Sequence, residues 1–217
     1  MNNQKTILLI AFLLLQFSVI YSQEDGDYVT FNDRTNIVHG VYLGLNTHLG
    51  DINDEPAYFG GLKLAYVANK QFEVGLEGIL LYSQQSIPRA INDDLIGGYG
   101  GLHLEPIFFG NSQVSLSFPL LIGGGALGYL GNTYRETTNI GRQRDDVDAI
   151  FVLEPGANLL FNVSRYLQLE AGVKYRFSSK VALEYSTIDR LNGFSAGIGI
   201  KLGVFNLGRN RYKKKLS

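Results

Sequence analysis

The chain of 217 residues has no cysteine, no tryptophan, a single methionine and five prolines. Without cysteine there can be no disulfides, no thiolate metal site, no cysteine nucleophile and no lipidated N-terminal cysteine. The formal net charge of −1 provides no surplus of Lys and Arg. Counterion-releasing contact with nucleic acid is therefore not expected. No apolar run beyond residue 20 is long enough to suggest a transmembrane helix. No period of 3.6 residues marks a long amphipathic helix either. What the chain does have is 26 Gly, 13 Tyr and 13 Phe, a balance that favours an all-β fold of many strands in one domain.

The first segment reads as a targeting signal. Lys5 precedes the apolar run 7–20, which ends at Tyr21-Ser22 before the acidic Gln23, Glu24 and Asp25. A basic start, a short apolar core and a small residue at the exit match a secretory signal peptide, cut after Ser22. A membrane anchor is the alternative, but a spanning helix needs about 20 apolar residues. The expected organisation is a signal peptide over 1–22, a polar leader over 23–37, a β domain over 38–205 and a basic tail over 206–217.

From Val38 onward the sequence alternates with period two. The stretch 148–177 shows it most plainly: Phe151, Leu153, Ala157, Leu159 and Phe161 alternate with Glu154, Gly156 and Asn158. After a short polar turn, Leu167, Leu169, Val173, Tyr175 and Phe177 alternate with Gln168, Glu170, Lys174 and Arg176. Each run is a strand with one uncharged face and one face of charges among small residues. Carried along the chain, the pattern predicts eight strands. Longer connections at 51–55, 83–95, 131–147 and 178–191 alternate with tight turns at Asn69-Lys70, Gly110-Asn111 and 162–165.

Alternation alone does not say which face is outside. A soluble eight-stranded barrel would pack its interior with the apolar face. That face carries about six large positions per strand, too much for an interior only just wide enough for side chains. The opposite face is rich in Gly, Ser and Ala, as a narrow lumen requires. The strand charges all lie on that second face: Lys63, Lys174, Arg176 and Lys201 with Glu73, Glu77, Glu105, Glu154 and Glu170. Near balance suits a closed lumen, where buried charges must be paired. On the apolar face, Tyr58, Tyr66, Phe72, Tyr82, Phe108, Phe161, Tyr175 and Phe194 are placed as two aromatic girdles bounding a lipid band. The predicted fold is an eight-stranded antiparallel up-and-down transmembrane β-barrel. Short turns would face the periplasm and longer loops the outside.

The segments VSLSFPLLIGGG and FVLEPGANLLFNVSRYLQLEAGVKYRF resemble the small outer-membrane β-barrel proteins of Bacteroidota-type bacteria, a porin-like family of Gram-negative cells. The resemblance covers residues 38–205 and implies an architecture, not a shared activity. Such barrels often end on an aromatic of the last strand. Phe205 occupies that place here, with twelve residues after it.

Candidate chemistry is sparse. The lumen charges, with His103 among them, read as a salt-bridge plug, with a small-solute pore as the alternative. His103 and Glu105 stand two apart on one face, a spacing open to general-base chemistry. Ser115 and Ser117 on the neighbouring strand are only generic small polar residues, and a buried His satisfied by a carboxylate is the simpler reading. His48 is nearer the outer rim but has no evident partner, and the three His residues are too scattered in sequence to propose a metal site. Gly123-Gly124-Gly125 lacks the Lys-Ser/Thr of a phosphate loop and reads as a place of close strand packing. The expectation is a monomeric, non-enzymatic barrel in outer-membrane lipid, with no cofactor. Its role would be structural, or recognition of an extracellular ligand through the loops. The competing class is a lipid hydrolase or acyltransferase of the outer membrane.

Overall fold

A computed structural model describes residues 38–85, 94–129, 147–183 and 188–207. They form nine antiparallel strands: β1 (His39–Ile52), β2 (Glu55–Ala68), β3 (Phe72–Gln84), β4 (Asp94–Phe108), β5 (Val114–Ser117), β6 (Leu120–Tyr129), β7 (Val147–Asn162), β8 (Leu167–Ser178) and β9 (Gly193–Leu207). Sequential neighbours pair, and β1 closes the ring on β9, from His39 opposite Leu207 to Gly50 opposite Ser195. No wall edge is left open, which removes the usual liability of an unpaired strand.

The wall has eight strands, because β5 and β6 are one strand interrupted at Phe118-Pro119. Both halves lie between β4 and β7 in a single register. The continuous fifth strand expected from alternation is corrected here, and the reason is the missing N–H of proline. Three of the five prolines lie at this level on adjacent strands. Pro106 accepts a hydrogen bond from Phe118 N (3.1 Å) and Pro119 accepts one from Gly156 N (2.8 Å), but neither can return it. Pro155 sits where the β7–β8 ladder skips from Leu153↔Phe177 to Gly156↔Lys174.

The connection expected as a loop at 51–55 is instead a two-residue turn. Asn53 and Asp54 take positive φ of 53° and 65°, a left-handed pair that Asn and Asp tolerate and that matches the twist of a hairpin. Asn69 and Lys70 make the same kind of turn, at 51° and 55°. The 109–113 turn starts on Phe109, with φ of 60°, and closes through Ser112 N to Phe109 O at 2.9 Å. Both ends of the wall lie at the rim of the Asn69-Lys70 and 109–113 turns, opposite Asn53-Asp54, and the strands run longer than expected, β9 reaching Leu207. The signal peptide, the leader, most of the 131–147 loop and the tail beyond 207 lie outside the described residues.

The barrel is turned inside out relative to a water-soluble one. Leu76, Leu80, Ile198 and Phe194 are 66, 74, 65 and 66 % exposed, while Lys63, Glu73, Lys201 and Arg176 are each at 1 % or below. An uncharged outward face around a closed wall is what a bilayer core demands, since every backbone polar group must pair within the wall. Where two strands need to come close, glycine permits it. Gly101 pairs with Gly123, and a β-carbon at Gly123 would lie 2.8 Å from the Gly101 Cα.

Candidate functional site

The inward face fills the lumen in three layers. Toward the longer loops, Ile52, Phe59, Ile79, Leu81, Leu95 and Leu127 pack with Leu183, Ile188 and Leu191 from the β8–β9 connection. The described parts of that connection, 179–183 and 188–192, pack into the mouth as a lid. It is held by Arg176 Nε donating to Leu191 O (2.6 Å) and by Leu191 N donating to Ser178 Oγ (2.7 Å). Near the short-turn rim a second apolar cluster joins Tyr42, Ala65, Val67, Ile107 and Leu160, with Phe205 packed against it. Beside it a cavity of about 310 Å³ opens between the turns, lined among others by Glu73, Ile107, Gln168 and Arg165.

Between the apolar layers lie all ten side chains expected in the lumen charge set, each buried. Glu73 and Glu105 stand directly opposite one another on β3 and β4, an arrangement that is repulsive on its own. The Lys201 ammonium reaches both, 2.9 Å from Glu73 and 3.1 Å from Glu105, with Glu170 at 3.5 Å. Lys63 adds contacts to Glu170 (3.3 Å) and Glu105 (3.6 Å). Higher in the barrel, Lys174 bridges Glu77 (3.2 Å) and Glu154 (3.4 Å), and Arg176 lies 4.0 Å from Glu154. Arg176 also stacks over the Phe59 ring at 4.3 Å. His103 links the two groups, its Nε2 at 2.9 Å from Glu105 and its Nδ1 at 3.0 Å from Glu77.

Neutral groups complete the set, and these were missed as partners in the sequence. The Tyr42 hydroxyl donates to Glu73, Tyr99 to Glu154 at 2.6 Å and Ser117 to Glu105 at 2.5 Å. Asn46 donates to Glu77 at 2.9 Å. Their parity was the available signal: Tyr42 and Asn46 alternate in step with His48, and Tyr99 with His103. A cationic tether also runs from Lys201 to the Tyr42 ring, 5.0 Å away.

The arrangement bears on two chemistries. The donor atoms of Glu73, His103 and Glu105 lie within reach of a common metal ion. The Lys201 ammonium already binds two of these three residues, and charge is met by protein there. For general-base catalysis, Ser117 and His103 both address Glu105 and not each other. All three are completely buried, so this Ser–Glu–His group faces no space that could admit substrate. His48 is buried against its ladder partner Gly197 on the neighbouring strand β9, and His39 meets the Tyr66 hydroxyl at the short-turn rim.

The girdle residues fall outward near the two rims. Tyr58 and Tyr82 pair across β2 and β3 (6.5 Å between rings), and Tyr175 packs edge-on to Phe194 (4.6 Å) near the loop rim. Tyr66, Phe72, Phe108 and Phe161 lie toward the other, with Phe108 T-shaped on Phe118 at 5.7 Å. Tyr175 is only half-exposed, covered by Phe177 and Phe194. Phe118, Phe151, Phe177 and Tyr166 also face outward and were not among the expected girdle residues.

Wall, girdles and filled interior together define an eight-stranded transmembrane β-barrel with an ion-paired lumen. Among solved structures the chain is similar to Neisserial surface protein A, with 12 % identity and a TM-score of 0.55 over 76 % of this chain and 96 % of that one. It also aligns with Ail of Yersinia pestis, crystallised with the heparin analogue sucrose octasulfate, at 17 % identity and a TM-score of 0.45 over 77 and 99 % of the two chains. The likeness to the neisserial protein is one of fold. No protein-family model matches the chain, and no curated protein sequence does.

Proposed function

We propose that the chain is an exported outer-membrane protein, its residues 1–22 removed as a signal peptide. Its closed barrel serves as a rigid platform whose longer loops face outside and carry recognition. The observation behind this reading is the filled lumen. An apolar layer with a loop lid, an ion-paired layer and a second apolar cluster lie in series, which supports a plugged barrel over a solute pore. Three longer connections and the Asn53-Asp54 turn share one rim, while both wall ends and the turns at 69–71, 109–113 and 163–166 share the other, in keeping with loops outside and turns in the periplasm. A fully paired ring supports a monomer whose partner is lipid, and the lumen cations are engaged by carboxylates and not free for nucleic acid. The buried Ser117, Glu105 and His103 support a non-enzymatic role, and the quoted segments favour the Bacteroidota-type, porin-like kind of barrel.

Cell fractionation combined with planar-bilayer recording tests this. The protein should partition with outer membranes, migrate faster on gels before boiling than after, and leave the bilayer silent. Recovery as a soluble periplasmic protein would overturn the proposal, and steady single-channel conductance would replace the platform with a pore.

A further inference from the structure

The lumen charges balance only if one more side chain is a cation or one carboxylate holds a proton, and the contacts of His103 favour the first. Four cations (Lys63, Lys174, Arg176, Lys201) face five carboxylates (Glu73, Glu77, Glu105, Glu154, Glu170), all buried among the described residues. An unmatched charge in such an interior is costly. His103, itself fully buried, stands where the missing charge belongs. Its Nε2 is hydrogen-bonded to Glu105 Oε2 at 2.9 Å. Its Nδ1 lies 3.0 Å from Glu77 Oε2, not aligned for a full hydrogen bond.

A neutral imidazole has one N–H and one lone pair, whereas an ionised carboxylate only accepts. Whichever tautomer is drawn, a neutral ring would leave an unprotonated nitrogen about 3 Å from a carboxylate oxygen, Nδ1 beside Glu77 or Nε2 in line with Glu105. Two N–H groups remove the conflict at both ends. The surroundings agree. Glu77 reaches the ring from β3 and Glu105 from β4, and each cation nearest them is shared with further carboxylates: Lys174 on β8 between Glu77 and Glu154, Lys63 on β2 between Glu170 and Glu105, and Lys201 on β9 among Glu73, Glu105 and Glu170.

We propose that His103 is an imidazolium, the fifth cation of the lumen, and that it joins the Lys201–Glu73–Glu105 group to the Lys174–Glu77–Glu154 group as one neutral network. This assigns His103 a structural charge in place of a base, and it holds whatever the loops bind. Nitrogen-15 spectra of the folded barrel in nanodiscs at neutral pH test it directly, with His103 assigned by loss of its signals in His103→Gln. Both ring nitrogens should carry protons, and a single protonated nitrogen would overturn the proposal. A second measurement uses charge compensation. His103→Gln should lower the thermal midpoint, and adding Glu77→Gln should raise it again by restoring equal numbers of each sign. A double variant no more stable than His103→Gln alone would contradict the assignment.

Discussion

Replacing Lys201 with methionine offers a direct test of how the lumen is held together. The ammonium is fully buried and touches three carboxylates, at 2.9, 3.1 and 3.5 Å. Two of those carboxylates oppose each other on adjacent strands. Methionine keeps most of the side-chain length and deletes the charge. Breaking one partner out of a buried ion pair costs about 3–5 kcal/mol, because the remaining charge has no water to turn to. Lys201→Met belongs at the upper end of that range, since Glu73 and Glu105 then repel directly. Equilibrium urea unfolding of the refolded barrel in lipid vesicles measures the cost. The double variant Lys201→Met/Glu73→Gln should recover part of it, with a coupling of about 0.5–3 kcal/mol. A single-variant loss below about 1 kcal/mol, the range of a solvent-exposed pair, would refute the claim that these charges are dry.

Three further outcomes are expected. Leu76→Arg, at the middle of the outward face of β3 and 66 % exposed, should cost about 2–4 kcal/mol in vesicles, and Tyr82→Arg near the rim only about 0–1 kcal/mol. A soluble barrel would tolerate both equally. Pro155→Val supplies an N–H where the β7–β8 ladder has a gap, pointing at the Tyr175 carbonyl. It should add about 1 kcal/mol and slow amide exchange in the flanking pairs. Leu191→Ala, in the lid and completely buried, should cost about 2–5 kcal/mol. Bilayer recordings should stay silent, because the ion-paired layer beneath is intact.

The wall was legible because period two depends only on local chemistry. In 148–177 every charge on the two strands sits on one parity, and the structure turns that parity inward. The same reading found the ten lumen side chains without finding who meets whom. Lys201 and Glu73 are 128 residues apart, and their meeting depends on strand tilt and register around the whole ring, which alternation does not encode. Two departures were local. Pro119 broke a strand whose pattern was otherwise continuous, and Asn53-Asp54 turned the chain in two residues where polar composition suggested a loop. The lid was illegible for a different reason: Leu183, Ile188 and Leu191 have no periodic spacing, and their burial follows from the hole that the barrel's mouth presents to them.

The absence of native cysteine makes one measurement especially direct: thiol labelling of single-cysteine variants in lipid vesicles, with a bilayer-confined reagent and a water-soluble one. Leu76→Cys and Leu80→Cys report the outward face, and Ser117→Cys and Ser195→Cys, near-isosteric and buried, report the lumen. The outward thiols should react only with the bilayer-confined reagent, and the lumen thiols with neither until the barrel is unfolded. Labelling of Leu76→Cys or Leu80→Cys from water, or of Ser117→Cys from water in the folded protein, would contradict a lipid-facing wall around a closed, ion-paired interior.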